Sequence, residues 1–160
     1  MSDFKKYLDQ GIYDFQDGHF RMAIESFNKA ISLDKTSAVA YFYRGATYHS
    51  VEEYDEAMMD YSKAISLDEN MTDAYYNRAK IILSRKDIQN PDISKAVKDL
   101  EKALELDEKF VDAMYAMAAA YKKLGDYHKT LEYLEKLLQI SPDHIYAKAL
   151  KKLILQKYII

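Results

Sequence analysis

One pattern of apolar residues recurs along this chain at nearly constant spacing. Each copy has a small residue, a large apolar residue four positions later, and a third apolar residue three positions beyond that. The copies read Ala23-Phe27-Ala30, Ala57-Tyr61-Ala64, Ala96-Leu100-Ala103 and Thr130-Leu134-Leu137. The interval from Ala23 to Ala57 equals that from Ala96 to Thr130, and only the interval between Ala57 and Ala96 is longer. A fixed period of this length is typical of repeat architectures, in which every unit is one supersecondary element.

A second matching segment precedes each copy and contains a small residue at an equivalent position. These small residues are Gly11, Gly45, Ala79 and Ala118. We expect each of them to lie where two helices approach closely, because a larger side chain would push the helices apart. In the segments that begin at Ala23 and Ala57, the apolar residues follow the i, i+1, i+4, i+7, i+8 spacing of an amphipathic helix. The sequence predicts helices at 3–16, 20–33, 37–50, 54–67, 71–87, 91–106, 110–123, 127–140 and 143–158.

The two segments together resemble the tetratricopeptide repeat, a helix–turn–helix unit with this pattern of small and large residues, and the resemblance covers residues 4–144. It implies an all-α fold, a right-handed α-solenoid of antiparallel helix pairs. We predict one repeat domain over residues 1–160. Its parts would be repeat 1 at 4–37, repeat 2 at 38–71, repeat 3 at 72–110 with a five-residue insertion around 84–89, repeat 4 at 111–144, and a capping helix at 145–160.

Composition disfavours several classes of function. A net charge of −3 and a pI near 5.8 do not suit a nucleic-acid binder, which needs a surplus of Lys and Arg to neutralise phosphates. The chain has no cysteine, so disulfides and thiolate zinc sites are excluded. No apolar run approaches the roughly 18 residues of a membrane span, and the first residues show no signal peptide. We expect a cytoplasmic protein.

No catalytic constellation is visible among the titratable residues. The chain lacks a Gly-rich phosphate loop, a G-x-S-x-G and an H-E-x-x-H motif. Of the four histidines, only His49 has nearby carboxylates, Glu52 and Glu53, and solvated turn residues explain that group best. We therefore expect no enzyme activity, no cofactor and no metal.

The resemblance also implies a ligand groove, because the first helix of each tetratricopeptide repeat lines the concave face of the array. Carried over by position, the groove residues here are Leu8, Ile12, Phe42, Tyr43, Tyr76, Asn77, Lys80 and Tyr115. Most of them are apolar or aromatic. The alternative is that these side chains pack against one another and bind nothing.

One subclass of the family holds the C-terminal carboxylate of a chaperone with a clamp of two Lys, two Asn and an Arg. At the matching positions this chain has Leu8, Ile12, Tyr43, Asp73 and Asn77. Asp73 would repel an acidic tail, so we do not expect a carboxylate clamp.

These observations predict a non-catalytic adaptor or scaffold that binds a peptide or a helix of a partner protein in its groove. The alternative is a structural protein whose repeats mainly form a homo-oligomer, through the apolar C-terminal helix that contains Leu153, Leu155 and Tyr158.

Overall fold

The computed structural model describes residues 2–85 and 90–158. Those residues form nine α-helices and no strand. The helices are α1 (Asp3–Gln16), α2 (Phe20–Leu33), α3 (Ala38–Ser50), α4 (Tyr54–Leu67), α5 (Thr72–Ser84), α6 (Asn90–Leu106), α7 (Val111–Leu124), α8 (Tyr127–Ile140) and α9 (Ile145–Tyr158). Each predicted helix is present, and most ends differ from the prediction by two residues or fewer. The exception is α5, which ends at Ser84 rather than at 87. The predicted insertion falls largely on residues 86–89, outside the described part of the chain.

Short polar residues start several of these helices. The side chains of Ser2, Ser37 and Asp126 each accept a hydrogen bond from a backbone N–H three residues ahead, at 3.3, 3.2 and 3.0 Å. These bonds satisfy one of the four amide groups that the first turn of a helix leaves unpaired. They account for the start of α1, α3 and α8 at the observed residues.

The turns that close α1, α3 and α7 share one backbone conformation. Gly18 and Gly125 have φ of 79°, and Glu52 has φ of 63°. After each, the next N–H donates to the carbonyl five residues back: His19 to Asp14, Glu53 to Tyr48 and Asp126 to Tyr121. This is the Schellman arrangement, which satisfies the last carbonyls of a helix and reverses the chain. It places α2, α4 and α8 antiparallel to the helix before them.

The helices gather into two compact units, Met1–Ile81 and Ile82–Ile160. In unit 1 the glycines of α1 and α3 lie against large residues of α2 and α4. A Cβ at Gly11 would lie 2.6 Å from the Phe27 ring, and one at Gly45 would lie 3.2 Å from the Tyr61 ring. Phe27 and Tyr61 are fully buried. The small residues therefore stand where helices meet, as the sequence predicts, and the same contact recurs from the first helix pair to the second.

An arginine ties three helices of unit 1 together. The Arg44 guanidinium donates two hydrogen bonds of 2.7 Å to the carboxylate of Asp60 in α4 and one of 2.7 Å to the side-chain oxygen of Asn28 in α2. Asp60 is buried, and this bond to its carboxylate raises the pKa of Arg44. The paired geometry compensates for the cost of removing the carboxylate from water.

One buried cluster of unit 2 is built from α7, α8 and α9, and α6 adds Ile93, Leu100 and Ala103 to the buried residues of this unit. Met114 and Ala118 of α7 contact Leu134 and Leu137 of α8, and Ile154 of α9 joins the same buried cluster. The last helix is therefore anchored along one side, and Ala147, Leu150 and Ile154 supply its buried contacts.

Candidate functional site

The first helix of each pair in unit 1 carries a stripe of side chains, most of them apolar, that the core only partly covers. We call this set the A-helix stripe. Its members are Leu8, Ile12 and Phe15 of α1, Val39, Phe42, Ala46 and His49 of α3, and Tyr76 and Lys80 of α5. Spacings of three and four residues place the members of each helix on one side of that helix. Val39 and Lys80 are exposed and the other members are half-buried.

Tyr43, next to the stripe, lies at the centre of a cluster of rings. Its ring centroid is 6.1 Å from that of Phe15, 6.1 Å from that of Phe27 and 5.4 Å from that of Phe42. Phe42 in turn lies 5.9 Å from Tyr61. Ring pairs at these distances are mutually stabilising. Tyr43 therefore contributes to the core as well as to the surface beside the A-helix stripe, and truncating its side chain would lower the stability of the fold.

Leu8 also has a structural contact. It packs with Phe4 and Tyr7 against the buried cluster of Ala30, Ile31 and Ala40. This contact spans α1, α2 and α3, and it fixes how the first helix lies against the next pair. Leu8 is half-buried in that position.

His49 and Lys80, the polar members of the stripe, are close enough to interact electrostatically. The Lys80 ammonium is 5.9 Å from the centre of the Tyr76 ring, on the same helix. Burial, together with the positive charge of Lys80, lowers the pKa of His49. His49 is therefore kept neutral near pH 7, and Lys80 is left as a positive group beside aromatic surface. Asn77, half-buried one position after Tyr76, adds an amide that can both donate and accept.

Tyr115, the remaining predicted groove residue, belongs to unit 2. Its ring stacks on the imidazole of His144 at 5.4 Å, and His144 lies 6.2 Å from the ring of Tyr146. Tyr146 is 72% exposed. The predicted groove residues therefore divide between the units, seven in the first and Tyr115 in the second.

Among the described residues, no group of three or more His, Asp or Glu could hold a metal ion. None of the described helices is long and apolar enough to cross a membrane. The carboxylates near His49 are exposed, and Glu53 begins α4 without making a side-chain cap.

Four family models match the chain, and each describes the same kind of repeat. Tetratricopeptide repeat models match residues 5–37, 38–71 and 89–125, and the model of the Fis1 C-terminal tetratricopeptide repeat matches residues 111–159. The chain is a tetratricopeptide-repeat protein. Repeats of this family are protein–protein interaction modules and typically non-catalytic scaffolds.

Among curated proteins, neutrophil cytosol factor 2 of Mus musculus is 48% identical to the chain over 42 residues. The match covers 26% of this chain and only 8% of that protein. It therefore concerns a short stretch of repeat, and the rest of the relative has no counterpart in the comparison.

Two solved structures share the fold over 96% and 77% of this chain. A crystal structure of MamA protein superposes with a TM-score of 0.87, at 24% identity, over 96% of this chain and 81% of that one. The first TPR of Spaghetti (RPAP3), bound to the HSP90 peptide SRMEEVD, superposes with a TM-score of 0.69, at 23% identity, over 77% of this chain and 94% of that one. At these identities the likeness shows the fold, an all-α repeat solenoid.

Proposed function

We propose that this tetratricopeptide-repeat protein binds a peptide or helical segment of a partner on the A-helix stripe of unit 1. The supporting observation is that α1, α3 and α5 each keep half-buried or exposed side chains, most of them apolar, on one side of the helix, and that Asn77 and Lys80 lie on α5 beside Tyr76. A rigid apolar surface with a few polar groups binds at low entropic cost, because little has to be ordered on the protein side. Lys80 and Asn77 can meet the polar backbone or a carboxylate of the ligand.

The test uses peptides selected from a random displayed library against the wild-type chain. Val39→Ala combined with Tyr76→Ala removes two side chains of the stripe that lie outside the Tyr43 ring cluster. Truncating an aromatic anchor commonly costs about 2 kcal/mol or more, which is a loss of about thirtyfold in affinity. We expect at least that loss in fluorescence polarisation, with the helical circular dichroism unchanged.

The matched control removes apolar side chains of the second helices. Met22 in α2 and Met59 in α4 are 54% and 73% exposed and lie outside the stripe. Met22→Ala with Met59→Ala should bind the selected peptides normally. If the selected peptides bind the Val39→Ala, Tyr76→Ala variant normally but do not bind the Met22→Ala, Met59→Ala variant, the ligand site lies outside the A-helix stripe and the proposal is contradicted.

We also propose that the chain does not recognise an acidic chaperone tail. The neighbour described above holds SRMEEVD, whereas this chain has Leu8, Ile12 and Tyr43 at three of the clamp positions, and exposed Asp73 would face the carboxylates. A labelled SRMEEVD peptide should show no saturable binding up to millimolar protein, and Asp73→Lys should increase its affinity. Tight binding by the wild-type chain would refute this part of the proposal.

Self-association through the last helix is a second candidate. Ile145 and Tyr146 of α9 are 76% and 72% exposed, and Leu153 on the same helix is 44% exposed. Apolar side chains this open are typical of surfaces that bind another protein. Sedimentation velocity across a hundredfold range of concentration measures the effect, and Tyr146→Asp with Leu153→Asp should abolish any association. A wild-type chain that stays monomeric throughout would rule this candidate out.

A further inference from the structure

A cleft of about 560 Å³ opens in unit 1 at the end where α1–α2 and α3–α4 turn back. We call it the turn cleft. Its lining consists of Arg21, Ile24 and Glu25 of α2, Tyr48 and Val51 at the end of α3, and Glu53 and Glu56 at the start of α4. None of these residues belongs to the A-helix stripe. The volume is within the range of small-ligand sites and exceeds that of one long side chain.

The floor of the turn cleft is apolar and held rigidly. Tyr48 packs against the buried cluster of Ala57 and Tyr61, and its carbonyl accepts the Glu53 N–H at 2.9 Å. That bond belongs to the turn in which Glu52 has the left-handed conformation, so the positions of Val51 and Glu53 are fixed by the backbone. Ile24 is half-buried beside them. A ligand therefore meets a preformed surface.

The rim carries carboxylates that the described part of the chain does not neutralise. Glu25, Glu53 and Glu56 form no ion pair within 4 Å, and neither does Arg21, the only basic residue of the lining. Glu53 occupies the first position before α4, yet its side chain makes no cap. Its carboxylate is left to face the cleft.

The balance of charge favours a cation. Three carboxylates and one guanidinium give the lining a net charge of −2. The amino ends of α2 and α4 also point here, and each contributes about half a positive charge, whereas the carboxyl end of α3, beside Tyr48 and Val51, contributes about half a negative charge. The sum stays negative, at about −1.5. The described residues contain no group of three or more His, Asp or Glu that could hold a bare metal ion, so we consider an organic cation.

We propose that the turn cleft binds an arginine side chain of a partner protein, together with an apolar residue beside it. The guanidinium forms paired hydrogen bonds with the rim carboxylates, for which its planar fork is suited. Its aliphatic stem and the neighbouring apolar residue lie on Ile24 and Val51. The guanidinium lies beside the Tyr48 ring, which the chain's own Arg44 guanidinium already approaches at 5.9 Å. This site is independent of the A-helix stripe and does not rest on the function proposed for it.

The experiment titrates the ¹⁵N-labelled 160-residue chain with the blocked tripeptide Leu-Arg-Leu and follows amide chemical shifts. We expect saturable shifts confined to Ile24, Val51 and their neighbours. The same tripeptide with citrulline in place of arginine, which keeps the shape and loses the charge, should bind at least about fivefold more weakly. Raising the salt from 0.05 to 0.5 M should weaken the arginine peptide and leave the citrulline peptide almost unaffected.

Two charge-matched variants decide the location. Glu53→Gln with Glu56→Gln should weaken Leu-Arg-Leu at least about fivefold. Glu69→Gln with Glu108→Gln changes the net charge equally at exposed turn positions and should leave the affinity unchanged, as should the Val39→Ala, Tyr76→Ala variant. Three results would overturn the proposal. The two glutamine variants could lose equal affinity for Leu-Arg-Leu, the citrulline peptide could bind the wild-type chain as tightly as the arginine peptide, or Leu-Glu-Leu could bind more tightly than Leu-Arg-Leu.

Discussion

Glu52 is the one described residue other than glycine with a positive φ, 63°. It stands one repeat after Gly18, and Gly125 has the matching place in the fourth helix pair, both with φ of 79°. All three turns make the same pair of backbone hydrogen bonds. The chain thus keeps the turn and places a side chain where two glycines stand elsewhere. We predict that Glu52→Gly stabilises the protein.

The size of the effect follows from two opposing conformational costs. A residue with a Cβ loses roughly 1–2 kcal/mol in the left-handed region. Glycine at the same position restores that energy but gives the unfolded chain more freedom, which costs about 0.5–1 kcal/mol. The net gain for Glu52→Gly is about 0.5–1 kcal/mol. In a chain of this length it corresponds to a rise in Tm of about 1–4 °C.

Urea unfolding followed by circular dichroism measures the change, and two variants isolate its cause. Glu52→Ala removes the same charge but keeps the Cβ, so it should give none of the gain. Gly125→Ala is the converse, because a Cβ built there has no atom within 4 Å and only the backbone conformation is penalised. The alanine also restricts the unfolded chain, which offsets part of that penalty, so Gly125→Ala should lose about 0.5–1 kcal/mol. If Glu52→Ala stabilises as much as Glu52→Gly, charge rather than φ is responsible and the reasoning is refuted.

Three further predictions concern the interior of unit 1. Gly45→Leu should lower the free energy of unfolding by roughly 1–3 kcal/mol, because its side chain overlaps the Tyr61 ring; unchanged urea stability would contradict the close contact. Arg44→Met should lower the free energy of unfolding by about 2–3 kcal/mol in the same assay, because it leaves the buried Asp60 carboxylate without its charged partner. Adding Asp60→Asn to the Arg44→Met variant should recover part of that loss. The pKa of His49 is lowered in the folded chain, so on acidification the unfolded chain takes up the proton first. The free energy of unfolding should therefore fall as the pH drops below about 6.5. His49→Gln should reduce the difference between the free energies of unfolding measured at pH 7.5 and at pH 5.5.

The repeat pattern predicts most of the fold because packing enforces it locally. The step along the chain from Gly11 to Phe27 is the same as the step from Gly45 to Tyr61, and both pairs are in contact. A small residue facing a large one fixes where two helices cross, and the repeat period copies the crossing. The helix bounds follow for the same reason, since short polar residues or turn glycines stand at many ends.

The surfaces were less predictable, because they depend on residues that no single segment contains. The turn cleft combines side chains from three helices between positions 21 and 56. No motif marks it, and its carboxylates look like ordinary surface charge in the sequence. The left-handed Glu52 gives no glycine signal either. Only its place in the repeat, at the position equivalent to Gly18, could have indicated the turn.

The two candidate surfaces of unit 1 use different sides of one helix, and this allows their roles to be separated. On α3, Val39, Phe42 and Ala46 belong to the A-helix stripe, whereas Tyr48 lies in the turn cleft. They share no lining residue, so changes at the two surfaces should add in free energy. A partner that occupies only one surface should lose affinity when the residues of that surface are changed, and its affinity should not change when the residues of the other surface are changed. A partner that spans both loses affinity in each pair, and in the combined variant the two losses multiply.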